Sequence, residues 1–351
     1  MVDFILNGQA SGNVGATLLQ NNMDPRALRP WIGKNGRSYR SVVGNNGIAR
    51  AVPLVNANAT LRKDEWKILD DAIVKAARQR LRAVADLRER GLQFTIPQGM
   101  GKTVLETETQ SDISGATTSM DGLREAPADR PQFALNFLPL PIIHKDYHFT
   151  ARQLATSRNG GSPLDTTMAE LAGRRVAEEV ERLLLGVAAS FTFGGGTIYG
   201  YTNFPSRLTK TITSPNATGY AATTTVTEVL QMRDQLTTAL HFGPYILYVS
   251  KSWDITLDDD FKAESDITLR ERILRIGDIE DVRTLDFLTG FDMVMVQMQT
   301  DTVRLVVGME MTTVQWETDG GLLQKFKVMT IMVPQLRADH NTNTGILHAS
   351  V

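Results

Sequence analysis

The stretch that most limits the fold is residues 162–188, SPLDTTMAELAGRRVAEEVERLLLGVA. Leu164, Met168, Ala172, Val176, Val180, Leu183 and Leu184 recur at helical spacing and make one apolar stripe. Ser162 is placed as the N-cap, Pro163 as the first helical residue and Asp165 as an acidic variant of the capping box. At about 1.5 Å per residue this predicts a rod of roughly 40 Å.

The strands of the chain do not alternate regularly with helices. A helix is predicted over 61–90, with Leu69, Ile73, Ala76, Ala77, Leu81, Val84 and Leu87 on one face and Gly91 as a left-handed cap. Its mixed charges read as a solvated surface. Another helix is predicted from Thr225, with Glu228 completing a capping box, and a shorter one over about 267–276. Tyr245–Val249 reads as a short buried strand; DMVMVQM and VRLVVGM read as strands. TTVQWE, the turn Asp319-Gly320-Gly321 and LLQKFKVMTIMVP read as a long antiparallel pair. Without a βαβ repeat, the fold class is α+β.

Two segments cannot form a core alone. Residues 1 to about 59 have no sustained period and are rich in Asn and Gly, yet carry the apolar anchors Phe4, Leu18, Leu19, Leu28, Trp31, Ile48, Val52 and Leu54. An arm lying along other surfaces accounts for both facts. Residues 92–145 read as an extended hairpin with a polar tip, QSDISGATTSMDG, and a returning strand FALNFLPLPII. A lone two-stranded ribbon is marginal in water, so it needs something to rest on.

The search for chemistry is mostly negative. GMGKT at 99–103 resembles the end of a phosphate loop, but the leading glycine would fall on Ile96, Pro97 has no N–H, and VLETETQS reads as a strand. A glycine turn between FTI and TVLETET, taken as two strands of a hairpin, is the preferred reading. Gly194, Gly196 and Gly200 miss the dinucleotide spacing. His144, Asp146 and His148 would share one strand face, but neighbours two apart stand about 6.5–7 Å from each other, awkward for one ion. A polar strand face is preferred. Asp258-Asp259-Asp260 lacks calcium-loop spacing. There is no Gly-x-Ser-x-Gly elbow and no cysteine. No catalytic residue, cofactor or metal is therefore expected. A net charge of −2 argues against a dedicated nucleic-acid binder. The absence of cysteine suits a reducing cytoplasm. MVDFILNGQASG lacks a basic leader and a long apolar run, and LLLGVAASF is too short for a membrane span. A soluble protein, or part of a soluble assembly, is expected.

Taken together, these segments resemble the Hong Kong 97-type fold of tailed-bacteriophage major capsid proteins, which encapsulin shells share. Trp66, Leu69, Asp70, Asp86, Leu87, Gly91 and Gly101 resemble the first helix and first hairpin strand of encapsulin-like shells. FTARQLATSRNGGSPLDTTMAELAGRRVAEEVERLLLG resembles their lead-in and spine helix, and TIYGYTNFPSR the turn after the spine in a group of phage capsid proteins. FGPYILYVS, TLRERILRIGDIEDV, VRLVVGMEM and FKVMTIMVPQL resemble the axial domain and the return to the peripheral domain. The similarity covers about residues 60–350. The arm is the departure from encapsulins and favours a phage capsid.

The resemblance implies an N-terminal arm (1–59), a peripheral-domain helix (60–91), an extended hairpin loop (92–145), a peripheral domain with the spine helix (146–204), an axial domain (205–308) and peripheral return strands with the C-terminus (309–351). It implies self-assembly into pentamers and hexamers of an icosahedral head in the host bacterial cytoplasm. The head would enclose double-stranded DNA contacted non-specifically, with portal and decoration proteins as partners, a separate scaffold or none, and no membrane. An encapsulin-type shell around a cargo enzyme is the alternative, and an enzyme or binding protein of another class the third reading. Inter-subunit contacts are expected at Phe4, Trp31, Phe94, Met100, Lys102, Phe133 and Phe137. Lys102 is also the candidate for a Lys–Asn crosslink of the kind some such capsids form, with no Asn or Glu partner assigned.

Overall fold

A computed structural model describes residues 30–33, 37–43, 49–53, 61, 63–78, 81–111, 114–118, 120, 130–159, 166–262, 266–318, 322–339 and 341–351. In chain order the elements are β1 (Trp31–Ile32), β2 (Ser38–Val43), β3 (Ala49–Pro53), α1 (Lys63–Arg78), α2 (Arg82–Glu89), β4 (Gln93–Thr95), β5 (Val104–Gln110), β6 (Phe133–Pro139), β7 (Ile143–Thr150), α3 (Ala151–Asn159) and α4 (Thr167–Leu185). There follow β8 (Thr192–Phe193), β9 (Gly196–Thr197), β10 (Leu208–Thr211), α5 (Ala222–Thr238), β11 (Tyr245–Ser250), α6 (Asp254–Asp258), α7 (Leu269–Leu274), β12 (Ile279–Leu285), β13 (Met293–Gln297), β14 (Val303–Thr318), β15 (Leu323–Leu336) and β16 (Ile346–Ser350). They gather into two compact units.

The first unit takes the described residues up to Thr103, with Leu140–Ala188 and Arg304–Pro334. Its sheet has the order β4-β14-β15-β7, with β4 parallel to β14 and β7 antiparallel to β15. Helices α1 and α4 cover one face. Trp66, Leu69 and Ile73 of α1 and Ala169, Ala172 and Val176 of α4 share a core with Tyr147, Phe149, Phe326 and Val328 of the sheet. Tyr147 stacks on Phe326 at 5.1 Å between ring centres, and Trp66 and Phe149 meet Phe326 edge-on at 6.0 and 5.6 Å. Gly173 lets the two helices approach, since a Cβ there would stand 2.8 Å from Ile73 Cγ2.

The second unit takes Val104–Pro139, Ala189–Val303 and Gln335–Val351. Its mixed sheet runs β10-β16-β13-β11-β12, with β10 parallel to β16, β11 parallel to β12 and β13 antiparallel to both its neighbours. All six residues of β11 are buried, as expected of YILYV: a strand covered on both faces reads as a continuous apolar run. Tyr245, Leu247 and Val249 join the core made with Val229, Met232 and Leu236 of α5, while Tyr248 stacks on Tyr201 at 6.0 Å. Two short antiparallel pairs complete the unit, β5 with β6 and β8 with β9.

Several expectations need correction. Within the segment expected to be a patternless arm, β1, β2 and β3 form a small antiparallel sheet. Ile32 N–H donates to the Leu61 carbonyl and Trp66 Nε1 to the Pro30 carbonyl. Neither SYRSVV nor ARAVP keeps a strict apolar/polar alternation, so no strand period shows. The helix predicted over 61–90 is two helices, with Leu81 off helical geometry at φ −84°, ψ 76°; no Gly or Pro marks that break. Gly91 does cap α2, at φ +70°, with Leu92 N–H donating to Leu87 O and Gly91 N–H to Arg88 O.

FTI and TVLETET are not hairpin partners: β4 pairs with β14, and β5 with β6. The rod helix begins at Thr167, and the cap residues Ser162, Pro163 and Asp165 lie outside the described residues, as does Leu164. Met168 is exposed, so the stripe starts later than predicted. Helix α3 went unpredicted, although Thr150 and Gln153 make a reciprocal capping box at its start. FTFGGGTIYG contains the β8–β9 hairpin, which the sequence reading did not assign. Helix α5 starts at Ala222, not at Thr225. Both members of the supposed capping box serve tertiary contacts: the Thr225 hydroxyl meets Tyr220 Oη, and Glu228 Oε1 accepts Thr213 N–H at 2.7 Å.

Candidate interaction surface

The ribbon β5–β6 is the segment whose side chains lack cover. Its register sets Val104 opposite Pro139, Glu106 opposite Phe137, Glu108 opposite Leu135 and Gln110 opposite Phe133. Side chains alternate across a strand, so these pairs share one face. Phe133 is 62% exposed, Leu135 56% and Phe137 37%. The face is therefore an apolar row on one strand beside two carboxylates on the other. The reverse face is held from within: Asn136 Nδ2 donates to Thr109 Oγ1 at 2.7 Å, and Leu138 is buried. Toward the tip, Ser111 N–H donates to Gln132 O and Gln132 N–H to Ser111 Oγ.

The root of the ribbon is seated on glycine. The β8–β9 turn brings Gly196 so close that an added Cβ would stand 2.0 Å from the Phe137 carbonyl oxygen. A Cβ on Gly194 would meet Val104 Cγ2 at 2.7 Å, and one on Gly195 would lie 3.8 Å from the Phe137 ring. Gly194 and Gly195 have φ of +59° and +82°, as the tight turn requires. The FTFGGG run that tempted a cofactor reading is thus a backbone seat.

Of the residues expected at contacts, Phe133 and Phe137 come together on this face. Trp31 is half-buried, stacks on Tyr39 and packs against the core of the first unit. Phe94 is 39% exposed, with the Arg304 guanidinium 4.4 Å from its ring centre. Met100 sits half-buried in a tight turn, Gly99–Gly101, and Lys102 is exposed just after it. That turn rests on β14, where a Cβ on Gly99 would stand 2.2 Å from Gly308 O. Phe4 lies outside the described residues. Leu135, Glu106 and Glu108 were missed; the alternation in FALNF and ETETQ was the available signal, but their shared face depends on register.

His144, Asp146 and His148 lie exposed along β7, with His144 Nδ1 3.6 Å from Asp146 Oδ1. Among the described residues no group of three or more His, Cys, Asp or Glu is placed to hold a metal. Asp292 and His348 stand 3.7 Å apart; burial raises the pKa of the Asp and lowers that of the His.

This architecture, a helix-backed sheet unit and a mixed-sheet unit that carries a two-stranded ribbon, is the Hong Kong 97-type fold of phage capsids and encapsulin-like particles. A virus-like particle protein from Pyrococcus furiosus superposes with a TM-score of 0.57 at 13% identity, covering 80% of this chain and 97% of that one. The capsid protein of Myoviridae phage XM1 gives 0.58 at 8% identity over 74% and 90%. The capsid protein of a native GTA particle gives 0.53 at 11% identity over 77% and 90%. The type 1 encapsulin shell protein EncA of Myxococcus xanthus (strain DK1622) is 27% identical over 203 residues, 56% of this chain. The match spans 63% of that relative's length. The chain belongs to a family of unknown function, DUF6260, whose profile matches residues 56–349. Among the described residues no helix is long and apolar enough to cross a membrane.

Proposed function

We infer that the protein is a structural shell subunit, copies of which assemble as pentamers and hexamers into an icosahedral phage head around double-stranded DNA. The exposed row Phe133, Leu135 and Phe137 carries this reading. Each such side chain is worth about 1.5–3 kcal/mol when fully buried, so a face presenting three of them is stabilised by a partner surface. A second copy of the chain is that partner. The fold shared with the XM1 and GTA capsid proteins supports the same conclusion. A net charge of −2 suits contents held by enclosure, since each neutralised phosphate would add salt-sensitive affinity. The virion is then the protein's location, and portal, scaffold and decoration proteins its further partners.

The relation to EncA favours a second reading, an encapsulin-type shell around a cargo enzyme. Electron microscopy of the purified full chain, with nuclease digestion and protein analysis of the contents, separates the two. Closed particles holding nuclease-protected DNA are expected. Particles holding a co-purified enzyme would move the protein to the second reading, and a small, closed-off oligomer would defeat both. A Phe133→Ser, Leu135→Ser double variant is expected to keep its circular dichroism spectrum and lose particles in sedimentation.

A further inference from the structure

The break between α1 and α2 is served by an acid from a distant part of the chain. Leu81, at the N-cap of α2, has no side-chain oxygen for the first N–H groups of the helix. Glu181 of α4 supplies both: Oε1 accepts Ala83 N–H at 2.6 Å and Oε2 accepts Val84 N–H at 3.2 Å. Glu181 and Asp86, the latter inside the first turns of α2, are each 1% exposed. A carboxylate at a helix start gains from these donors and from the helix dipole. Removing its charge from water costs more than an ordinary cap contributes, and a second carboxylate beside it adds repulsion.

We propose that this junction is a proton-operated joint: with Glu181 neutral, α2 and α4 lock together, and its ionisation loosens the start of α2. Burial lifts Glu181 from 4.5 to about 7, with Asp86 adding to the rise and the N–H donors of Ala83, Val84 and Arg82 opposing it. Of the other charged groups on the packed elements, Arg82 at the start of α2 is exposed. On α2, Arg88 pairs with Glu310 at 3.0 Å. On α4, Glu178 pairs with Arg174 and Arg175, and Arg182 with Glu179. α1 contributes the buried Asp70, and β7 turns His144, Asp146 and His148 to the sheet face away from the helices.

The sign follows from proton linkage. Between pH 4.5 and about 7 the closed joint holds a proton that the opened, solvated one has released. The stabilisation is complete below 4.5, falls as pH rises toward 7 and is gone above it. The gap corresponds to at most about 300-fold in the local opening equilibrium.

The test is amide hydrogen exchange on the full-length protein at pH 5 and pH 8, with rates corrected for intrinsic base catalysis. Protection across residues 82–87 is expected to be on the order of 100-fold lower at pH 8. β11, in the other unit, serves as the unchanged control. Glu181→Gln, which keeps an acceptor and cannot ionise, is expected to reduce the difference to less than about threefold. Asp86→Asn is expected to shift the midpoint to lower pH. Equal corrected protection at the two pH values in the wild type overturns the proposal, as does an undiminished difference in Glu181→Gln. Should that variant not fold, the fall of wild-type protection between pH 4.5 and about 7, and its end at lower pH in Asp86→Asn, decide the matter. The joint stands or falls independently of shell assembly.

Discussion

Single residues act here chiefly through backbone contact. Gly196 is the sharpest case, because the Phe137 carbonyl that an added methyl would strike belongs to a paired strand and has little room to move. Gly196→Ala is expected to cost about 1–3 kcal/mol by overpacking, measured as a lower urea midpoint. Gly195→Ala meets only the edge of the Phe137 ring, at 3.8 Å, and carries the strain of a φ of +82°. About 1 kcal/mol is expected there. At the other extreme stand His144 and His148 on the exposed face of β7. Replacing either by Ala is expected to change stability by less than about 0.5 kcal/mol, as for a surface position without a structural task.

Among the elements, β15 carries a large share of the first unit's core. One face of it carries Phe326, at the meeting point of Tyr147, Phe149 and Trp66. Phe326→Ala is expected to cost about 3–5 kcal/mol, seen in denaturant unfolding, with altered emission from the buried Trp66. The ribbon β5–β6 is the opposite kind of element. Its ladder hydrogen bonds join its own two strands, Gln335 Nε2 of β15 donates to Thr107 Oγ1 at 3.4 Å, and one face sets exposed apolar side chains beside Glu106 and Glu108. Its value lies in what covers it.

At the scale of the whole molecule, two units each have their own core, one around Phe326 and one around β11 and β13. Neither core includes Phe133 or Leu135. If copies complete the burial, amides of 104–110 and 133–139 are expected to exchange markedly more slowly in particles than in dissociated subunits. Equal exchange in the two states would remove the ribbon from the assembly contact. Amides of β11 and β15 are expected to be slow in both.

Periodicity over long segments was legible in the sequence: most of α4, the buried run of β11, the long β15, both halves of β14 though read as two strands, and the cap at Gly91. From these, together with the family resemblance, the fold class followed. Local pattern records which side of an element faces a core, and it records little else. It does not reveal pairing partners, so FTI and TVLETET were joined although they pair with different strands. Nor does it show a helix start that is capped by Glu181, 97 residues beyond Val84. The contact face was half legible, as Phe133 and Phe137, because alternation marks one strand. Leu135 beside Glu108 required the register, and the glycine seat required the backbone of β6 to be in place. Burial and registry are properties of pairs distant in sequence, and only the folded chain brings those pairs together.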